Sequence, residues 1–229
     1  MNSQRLRVAV VGARGRLGSF ACGLLRASPE FELAAEIERE HDLAAVLREC
    51  GVVVALDATV AGLGAEHGRT LLAAGVRPVI GTSGVTRAQA AELDRLARAR
   101  DLGGLVVPNF SLGMASFNRA AEALAASFAS VTIVERHHEQ KRDAPSSTAR
   151  DTAERLAARR GGAEVPILSV RAPGLYAHQE VLFGGLGETL SLRHDMLGPE
   201  AFGPGILAAL RHAARARGID FGIEAALNW

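Results

Sequence analysis

The chain has 229 residues, 48% of them hydrophobic and 22% charged, with a formal net charge of +1. This composition is typical of a globular protein with enough apolar side chains to fill two small domains. Because so small a net charge creates no extended field, we expect neither nucleic acid nor a membrane as a partner, and we expect anionic ligands to be bound by local charges.

The first segment, MNSQRLRVAVVGARG, lacks the apolar stretch and cleavage site of a signal peptide, and no apolar run approaches the ~18 residues that a membrane span needs. We therefore expect a cytoplasmic protein. The cysteines, Cys22 and Cys50, fall in predicted helices without the spacing of metal ligands. We interpret them as small buried hydrophobes in a reducing compartment, and we expect neither a metal site nor a disulfide.

Residues 6–11, LRVAVV, predict a short buried strand that leads into the glycine-rich turn GARGRLG and then into a helix. Gly12, Gly15 and Gly18 have a G-x-x-G-x-x-G spacing, a variant of the dinucleotide-binding fingerprint. In that motif the glycines form a tight turn, let the pyrophosphate approach the backbone and pack the helix closely on the strand. The spacing alone is a weak signal, because other glycine-rich turns share it.

The second predicted strand, FELAAEIE, ends at Glu38, twenty residues after Gly18. An acidic residue at this place is expected to bind the hydroxyl groups of the adenosine ribose. Arg39 follows it, and its guanidinium can stack on adenine or meet a 2′-phosphate. The pair leaves NADH and NADPH both open as the cofactor, with NADH favoured by the carboxylate.

Three more predicted strands continue the alternation with helices: VVVALDAT (52–59), RPVIGTSG (77–84) and LVVPNFSLG (105–113). Strands alternating with helices predict a Rossmann-like, doubly wound parallel sheet, in which ligands bind at the carboxyl ends of the strands. The predicted strand ends carry small and polar residues that suit a cofactor cleft: Asp57 and Thr59, Gly81 to Gly84, and Pro108 to Ser111.

After a predicted helix at 114–128 the pattern changes. SVTIVERHH predicts a strand, HHEQKRDAPSST a loop and ARDTAERLAARR a helix, and three strands then follow without helices between them, VPILSVRA, AHQEVLFGG and GETLSLRHD. Consecutive strands predict a second α+β domain with a mostly antiparallel, open sheet. The remaining segments, GPGILAALRHAARAR and GIDFGIEAALNW, are predicted to be helical. We expect a dinucleotide-binding domain at 1–108 and 202–229, and a substrate-binding and oligomerisation domain at 109–201.

The segment HHEQK contains Lys141, the single lysine among the 26 Lys and Arg residues. Unlike arginine, lysine is a compact charge whose pKa shifts readily and which can pass a proton. His137 and His138 are adjacent at a strand end, so their side chains should point to opposite faces, one toward a reacting centre and one toward a substrate anion. The Ser and Thr residues of DAPSST precede a helix; taken alone they are typical of helix capping, and with the adjacent histidines the free amides of the first turn favour an anion site. We interpret the other histidines considered as ordinary surface or core residues: His67, His178 and His194.

Five segments in order, VVGARGRLG, IGTSG, VPNFS, HHEQKRDAPSSTA and AHQEVLFGGLGETLSLRHD, resemble the dihydrodipicolinate reductase family, also called 4-hydroxy-tetrahydrodipicolinate reductase, and the last resembles its actinobacterial branch. The resemblance covers nearly the whole chain. It implies an NAD(P)H-dependent homotetramer that reduces a cyclic imine dicarboxylate, 4-hydroxy-tetrahydrodipicolinate or dihydrodipicolinate, to tetrahydrodipicolinate in lysine and diaminopimelate biosynthesis. Two alternatives stay open: a paralogous reductase of a related cyclic imine or enamine carboxylate in specialised metabolism, and an inactive dinucleotide-binding sensor or scaffold.

Residue by residue, the resemblance implies that His137 is the general acid that protonates the ring carbon as hydride arrives. Lys141 is similar to the residue that meets a substrate carboxylate and supports this proton transfer, and His138 to a further carboxylate contact. The amides of Ser147 and Thr148 match those that hold the other carboxylate. Including the strand-end residues Asp57 and Thr59, the expected cofactor contacts are Gly12, Arg14, Gly15, Arg16, Leu17, Glu38, Arg39, Asp57, Thr59, Gly81, Thr82, Ser83, Pro108, Asn109 and Phe110.

The chain departs from the family pattern at four places. Ser147 stands where the family has glycine, which would cost about 1 kcal/mol if the backbone φ there were positive. Val60 and Ala61 replace a basic residue or histidine and a proline, the loop after Gly162 is shorter, and 198–205 carries two prolines. These departures leave the exact substrate, the preference between NADH and NADPH and the tetramer open.

Overall fold

The computed structural model describes residues 5–227. The chain forms two compact units: the first unit runs up to Ser111 and resumes at Phe202, and the second unit is Leu112–Ala201. Within residues 5–227, no helix has the length and apolar character needed to cross a membrane.

Helices and strands alternate through most of the described chain. The strands are β1 (Leu6–Val11), β2 (Phe31–Ile37), β3 (Val54–Asp57), β4 (Arg77–Ile80), β5 (Gly103–Val106), β6 (Ser130–His137), β7 (Ile167–Arg171), β8 (Ala177–Gly185), β9 (Glu188–Met196) and β10 (Gly218–Phe221). The helices are α1 (Arg16–Ala27), α2 (Leu43–Cys50), α3 (Gly64–Ala73), α4 (Arg87–Arg98), α5 (Leu112–Leu124), α6 (Ser147–Arg159) and α7 (Gly203–Arg215), and short 3-10 helices occur at Pro199–Phe202 and Ile223–Ala226.

The first unit contains a six-stranded sheet in the order β10-β5-β4-β3-β1-β2. Every neighbouring pair is parallel. The strands β3, β4 and β5 are buried along nearly their whole length, because helices cover both faces of a doubly wound sheet. The strand order changes direction between β1 and β3, which is the switch point where such sheets bind ligands. The Rossmann-like fold predicted from the sequence is confirmed.

The helix predicted for GIDFGIEAALNW is wrong at its start, because Gly218–Phe221 forms strand β10. Gly218 has a φ of +91°, which ends the helical pattern, and the backbone of β10 pairs with β5. Without β10, the edge of β5 would leave backbone amides and carbonyls unpaired. Ile223–Ala226 is a short 3-10 helix, and residues 228 and 229 of the predicted helix lie outside the described residues.

The second unit contains a four-stranded sheet in the order β7-β6-β8-β9. The pairs β6 with β8 and β8 with β9 are antiparallel, as predicted, whereas β7 lies parallel to β6 after the crossover through α6. One face of the sheet packs on α5 and α6 around a core that includes Ile133, Leu156 and Phe183. The opposite face carries the exposed side chains of Leu168 and Leu182. The second unit is therefore built on a mixed sheet with one face covered by helices and the other face open.

Both cysteines have free thiols, but they differ in burial. Cys22 is buried in α1, as predicted, and burial raises the pKa of its thiol to about 11. Cys50 is only half-buried, so its interpretation as a buried hydrophobe is wrong. It lies at the last position of α2, where its carbonyl accepts hydrogen bonds from Arg7.

Candidate functional site

A cleft of about 960 Å³ opens at the carboxyl ends of β1, β2, β3 and β4 in the first unit. This is the switch-point edge of the sheet, where a dinucleotide would bind. Ten of the residues predicted to contact a cofactor line it: Gly12, Gly15, Arg16, Leu17, Glu38, Arg39, Thr59, Gly81, Thr82 and Ser83.

The glycine-rich turn forms the floor of this cleft, and its geometry depends on the absence of side chains. Gly12 has a φ of +79°, and a Cβ there would lie 2.9 Å from the carbonyl oxygen of Ala58. A Cβ on Gly18 would overlap the carbonyl oxygen of Gly12. Gly15 is the N-cap of α1 and offers no side-chain cap, so the first amides of the helix, beside the cleft-lining Arg16 and Leu17, have no capping partner. The turn can therefore receive a pyrophosphate against bare backbone.

Glu38 lies just beyond β2, and its carboxylate accepts a hydrogen bond from the backbone amide of Arg14. This contact joins the ribose-binding position to the glycine-rich turn. The Arg14 side chain instead pairs with Glu40 at 2.7 Å, and Arg14 is not among the residues that line the cleft. His41 was not predicted as a site residue, yet it lines the cleft and its Nδ1 accepts from the Glu38 amide at 3.0 Å.

Asp57 is wholly buried beneath the cleft and does not line it. Its Oδ1 accepts from the Thr59 hydroxyl at 2.7 Å and the Thr59 amide at 3.1 Å, and it lies 3.3 Å from Nδ1 of His67. The Thr59 amide also donates to the Thr82 hydroxyl at 3.0 Å. Asp57 thus supports Thr59 and Thr82, the threonines that line the cleft, from beneath.

His67, which was interpreted as an ordinary surface or core residue, lines the cleft. The hydrogen bond with Asp57 raises its pKa, against the lowering effect of burial. The sequence contains a signal for it: His67 lies in the first turn of the helix after β3, and such helices begin at the ligand-binding edge of the sheet. His178 and His194 fit their structural interpretation, since His178 pairs with Asp195 at 2.7 Å and His194 packs near Phe117.

The turn after β5 holds the last three predicted cofactor residues, none of which lines the cleft. Asn109 Oδ1 accepts from the Ser111 amide at 2.9 Å, and Phe110 is buried. A Cβ on Gly81 would lie 2.6 Å from the Phe110 ring. Of the three, Phe110 therefore packs behind the cleft wall at Gly81, whereas Pro108 is exposed.

The second unit carries the histidine and lysine segment in the loop between β6 and α6. His137 ends β6, and the carbonyl of the next residue, His138, accepts from the Lys141 amide at 3.1 Å, which closes a turn. Lys141 Nζ donates to Asp143 at 2.8 Å. The hydrogen bond from Lys141 is the main reason that the pKa of Asp143 lies below its usual range. The turn thus fixes an ammonium close after the imidazoles in one short loop.

Helix α6 begins directly after this loop. The Ser146 hydroxyl caps it by accepting from the Ala149 amide at 3.1 Å, which leaves the amides of Ser147 and Thr148 without an intrahelical acceptor. Among residues 5–227, the non-glycine residue with a positive φ is Asp101 and not Ser147, so the strain considered for a serine at this place does not arise. The helix start therefore presents two free backbone amides, and the exposed Ser147 side chain lies at the same place.

His137 is held on its inner side by the buried Glu135, to which its Nδ1 is hydrogen-bonded. Burial is the main influence on His137 and lowers the pKa of its imidazole, while the hydrogen bond to Glu135 opposes that shift. The charges of Lys141 and Arg171 lower the pKa further. An imidazole in such surroundings gives up a proton more readily than a free histidine.

Comparison with known proteins covers almost the whole chain. Residues 6–110 match the family profile described as "Dihydrodipicolinate reductase, N-terminus", and residues 111–227 match "Dihydrodipicolinate reductase, C-terminus". The 4-hydroxy-tetrahydrodipicolinate reductase of Legionella pneumophila (strain Lens) is 38% identical, covering 96% of this chain and 98% of the relative. That of Streptomyces griseus subsp. griseus is 39% identical, covering 96% and 97%.

A solved structure, the dipicolinate-bound dihydrodipicolinate reductase from Paenisporosarcina sp. TG-14, superposes with a TM-score of 0.88 at 31% identity, covering 98% of this chain and 100% of that one. With the doubly wound sheet and the cleft at its switch point, these likenesses define an oxidoreductase that uses a nicotinamide dinucleotide. The residues of the glycine-rich turn fit such a cofactor, since they form a cradle that a Cβ would fill. The chain belongs to the dihydrodipicolinate reductase family.

Proposed function

We propose that this chain reduces 4-hydroxy-tetrahydrodipicolinate, or dihydrodipicolinate formed from it, to tetrahydrodipicolinate with NADH or NADPH, in the cytoplasmic synthesis of lysine and diaminopimelate. The observation that carries the proposal is the β6–α6 loop, which supplies imidazoles, an ammonium and free helix amides in one segment of a chain related throughout to named reductases. Dinucleotide binding falls to the first unit (1–108 and 202–229 in the sequence-based division), and substrate binding and oligomerisation fall to the second (109–201).

In the first unit, the glycine-rich turn receives the pyrophosphate, Glu38 binds the adenosine ribose, and the Thr59 and Thr82 hydroxyls line the wall beyond β3 and β4. The bound cofactor supplies the hydride. Asp57 and His67 keep the threonines in place through the hydrogen bonds beneath the cleft. Phe110 supports the wall at Gly81, Pro108 and Asn109 lie in the same turn after β5, and Arg14 acts through its backbone amide.

In the second unit, His137 supplies the proton. Hydride addition to a conjugated imine builds electron density on the ring, and a proton must reach the ring carbon to complete the reduction. His137 suits this task because burial lowers the pKa of its imidazole. Lys141 places a positive charge beside the developing negative charge and binds one substrate carboxylate. Thus one group delivers the proton and its neighbour stabilises the charge.

The substrate is a dianion, and each carboxylate has a binding group in the loop or at the start of α6. His138 and Lys141 meet one carboxylate, and the amides of Ser147 and Thr148 meet the other at the helix N-terminus. The exposed Ser147 hydroxyl adds a donor that glycine would lack. We expect serine to be tolerated in place of the family's glycine, because Ser147 has ordinary helical backbone geometry.

The activity is tested by following NADH or NADPH absorbance after the protein is added to 4-hydroxy-tetrahydrodipicolinate made freshly by the preceding synthase. Rapid oxidation of the cofactor that requires this substrate supports the proposal. Tight cofactor binding without oxidation contradicts it. That outcome would favour a related cyclic imine carboxylate as substrate, with Ser147 and the loop after Gly162 as the places where the pocket differs.

We propose that the cofactor preference is set by Glu38 and Arg39, with NADH favoured over NADPH. Glu38 is held by the Arg14 amide and can accept from ribose hydroxyls, whereas its charge repels a 2′-phosphate. Glu38→Gln should reduce kcat/KM for NADH about tenfold, the worth of a charge-assisted hydrogen bond, while leaving NADPH less affected. Arg39→Ala is the matched variant and should lower kcat/KM for NADPH more than kcat/KM for NADH. An unchanged ratio of the two kcat/KM values in both variants would contradict this assignment.

We propose that the open face of the second unit's sheet joins subunits in a homotetramer. Leu168 on β7 is 57% exposed, and Leu182 on β8 points to the same face, because Val181 and Phe183 beside it are buried on the other. This face also carries the Arg136–Glu180 ion pair, and exposed leucines beside paired charges are typical of a subunit interface. The double variant Leu168→Asp and Leu182→Asp should reduce the mass measured by light scattering after size exclusion to that of a smaller oligomer. Leu186→Asp, at the exposed β8–β9 turn, is the control, and an unchanged mass in the double variant would refute the interface.

A further inference from the structure

Glu135 lies two residues before His137 on β6, so both side chains leave the same face of the strand. Its carboxylate is wholly buried and is hydrogen-bonded to Nδ1 of His137. Arg171 lies opposite His137 on β7 and holds the same carboxylate with both guanidinium arms, Nη1 to Oε2 at 3.0 Å and Nη2 to Oε1 at 2.8 Å. The Ser146 amide, which precedes α6, donates to Oε1 at 3.3 Å. Groups from three parts of the second unit, β6, β7 and the residue before α6, therefore converge on one carboxylate.

The charge on Glu135 decides where the proton on His137 lies. Burial by itself raises the pKa of Glu135, but hydrogen bonds from Arg171, Ser169 and His137 outweigh it and hold the pKa below its usual range. An ionised carboxylate can only accept, so Nδ1 of His137 carries a hydrogen and donates it. The neutral ring then has an unprotonated Nε2, the atom that takes up and releases the catalytic proton.

Arg171 also fixes the loop that carries the lysine. Its Nη2 donates to the carbonyl oxygen of Asp143 at 2.7 Å, and its Nε donates to the carbonyl oxygen of Lys141 at 3.3 Å. Breaking the guanidinium contacts would therefore release both the carboxylate behind His137 and the backbone that presents Lys141. One side chain on β7 links the proposed proton donor to the proposed carboxylate-binding group.

We propose that Glu135 and Arg171 are positioning residues for the proton transfer: Glu135 fixes the tautomer and orientation of His137, and Arg171 neutralises Glu135 and holds the Lys141 loop. This inference rests on the proposed function, in which His137 is the general acid. Without Glu135 the ring could rotate and present either nitrogen. Without Arg171 the unneutralised carboxylate would hold the proton on the imidazole instead of letting it pass to substrate.

A purely structural ion pair would behave differently from this arrangement. The charged groups that face His137 are Glu135 from its own strand, Arg171 from β7 and Lys141 from the loop. Glu135 raises the pKa of His137, and the two cations lower it. A general acid works when protonated, so turnover is full below its pKa and falls as the pH rises through it. Glu135→Gln should therefore move this fall to lower pH, and Arg171→Gln should move it to higher pH.

The experiment is the pH dependence of kcat for the native enzyme and both variants. Glu135→Gln should also lose roughly 10- to 100-fold in turnover near neutral pH, the usual effect of removing a carboxylate that orients a histidine. Arg171→Lys should keep the native pH limb, because the charge stays, but should lose turnover, because the two-armed contact is gone. Glu122→Gln is the control, since it breaks the contacts of Glu122 with Arg155 and Arg159 on α6 and leaves His137 untouched. Loss of activity in Glu135→Gln and Arg171→Gln without opposite displacements of the pH limb would overturn the proposal.

A second measurement is made on the native protein, so it does not depend on whether the Glu135 and Arg171 variants fold. The ¹⁵N NMR shifts of the native protein, with the His137 signals assigned by their absence from His137→Ala, report the tautomer above the pKa of this residue. The expected state is Nδ1 protonated and Nε2 bare, and the reverse would overturn the proposal. The proposed function and the positioning role of Glu135 can be refuted separately. Absence of turnover of 4-hydroxy-tetrahydrodipicolinate would refute the proposed function. The tautomer of His137 would still decide whether Glu135 orients the ring.

Discussion

Lys141→Ala should lower kcat by roughly 10²- to 10⁴-fold, the range expected when a group that supports proton transfer and charge stabilisation is removed. The reason lies in its place in the loop: the Lys141 side chain is 22% exposed, its ammonium pairs with Asp143 at 2.8 Å, and the residue closes the turn that begins at His138. Lys141→Arg should lose nearly as much activity. Guanidinium keeps the positive charge and can bind a carboxylate, but it stays protonated and needs more room.

The measurement is steady-state turnover with 4-hydroxy-tetrahydrodipicolinate at saturating NADH, with kcat and KM determined separately. Removal of a carboxylate contact alone would raise KM and spare kcat, whereas the proposed role lowers kcat as well. Arg142→Ala removes the neighbouring exposed cation from the same loop and should keep native turnover. Near-normal kcat in Lys141→Arg would refute a role for the lysine beyond its charge.

Much of the fold could be predicted because each element carries its own local signal. The apolar run of β1, the glycines after it and the repeated alternation of strand and helix predict a parallel sheet without reference to distant residues. Strand β10 could not be predicted in this way. Its four residues, GIDF, form a strand because β5, more than a hundred positions earlier, offers an unpaired edge, and the Ile219 amide gains the Asp94 carboxylate at 2.8 Å.

The residues of the candidate site divide in the same way, into those with a local sequence signal and those that only folding brings together. Glu38, Thr82 and the glycines follow from motif spacing and strand ends, so the sequence predicts them. His67 was not predicted as a site residue: its position in the first turn of α3 is a weak signal, and its contact with Asp57 forms only when α3 packs beside β3. Arg171 was missed for a stronger reason: it lies 36 positions from Glu135, and no local pattern links a strand arginine to the histidine segment. Parallel pairing of β6 and β7 brings the two together.

Gly18→Ala should weaken NADH binding about 100-fold, because it displaces the turn on which the pyrophosphate rests. A Cβ at this position would overlap the Gly12 carbonyl oxygen and lie 2.9 Å from the Cα of Ala13. Both contacts are with backbone, which cannot move aside as a flexible side chain can. Helix α1 must therefore shift away from β1. This shift moves the first amides of α1 away from the phosphates and costs about 1–3 kcal/mol in stability.

Gly23→Ala in the same helix separates this effect from the general consequence of adding a methyl group. No atom lies within 4 Å of a Cβ at Gly23, so the side chain meets open space. Replacing a helix-interior glycine with alanine should then raise the free energy of unfolding by about 0.5–1 kcal/mol, with NADH affinity unchanged. Calorimetric titration with NADH and thermal unfolding of both variants make the comparison. Equal affinities for NADH in Gly18→Ala and Gly23→Ala would mean that close packing of α1 on the turn is not what makes the cleft able to hold a dinucleotide.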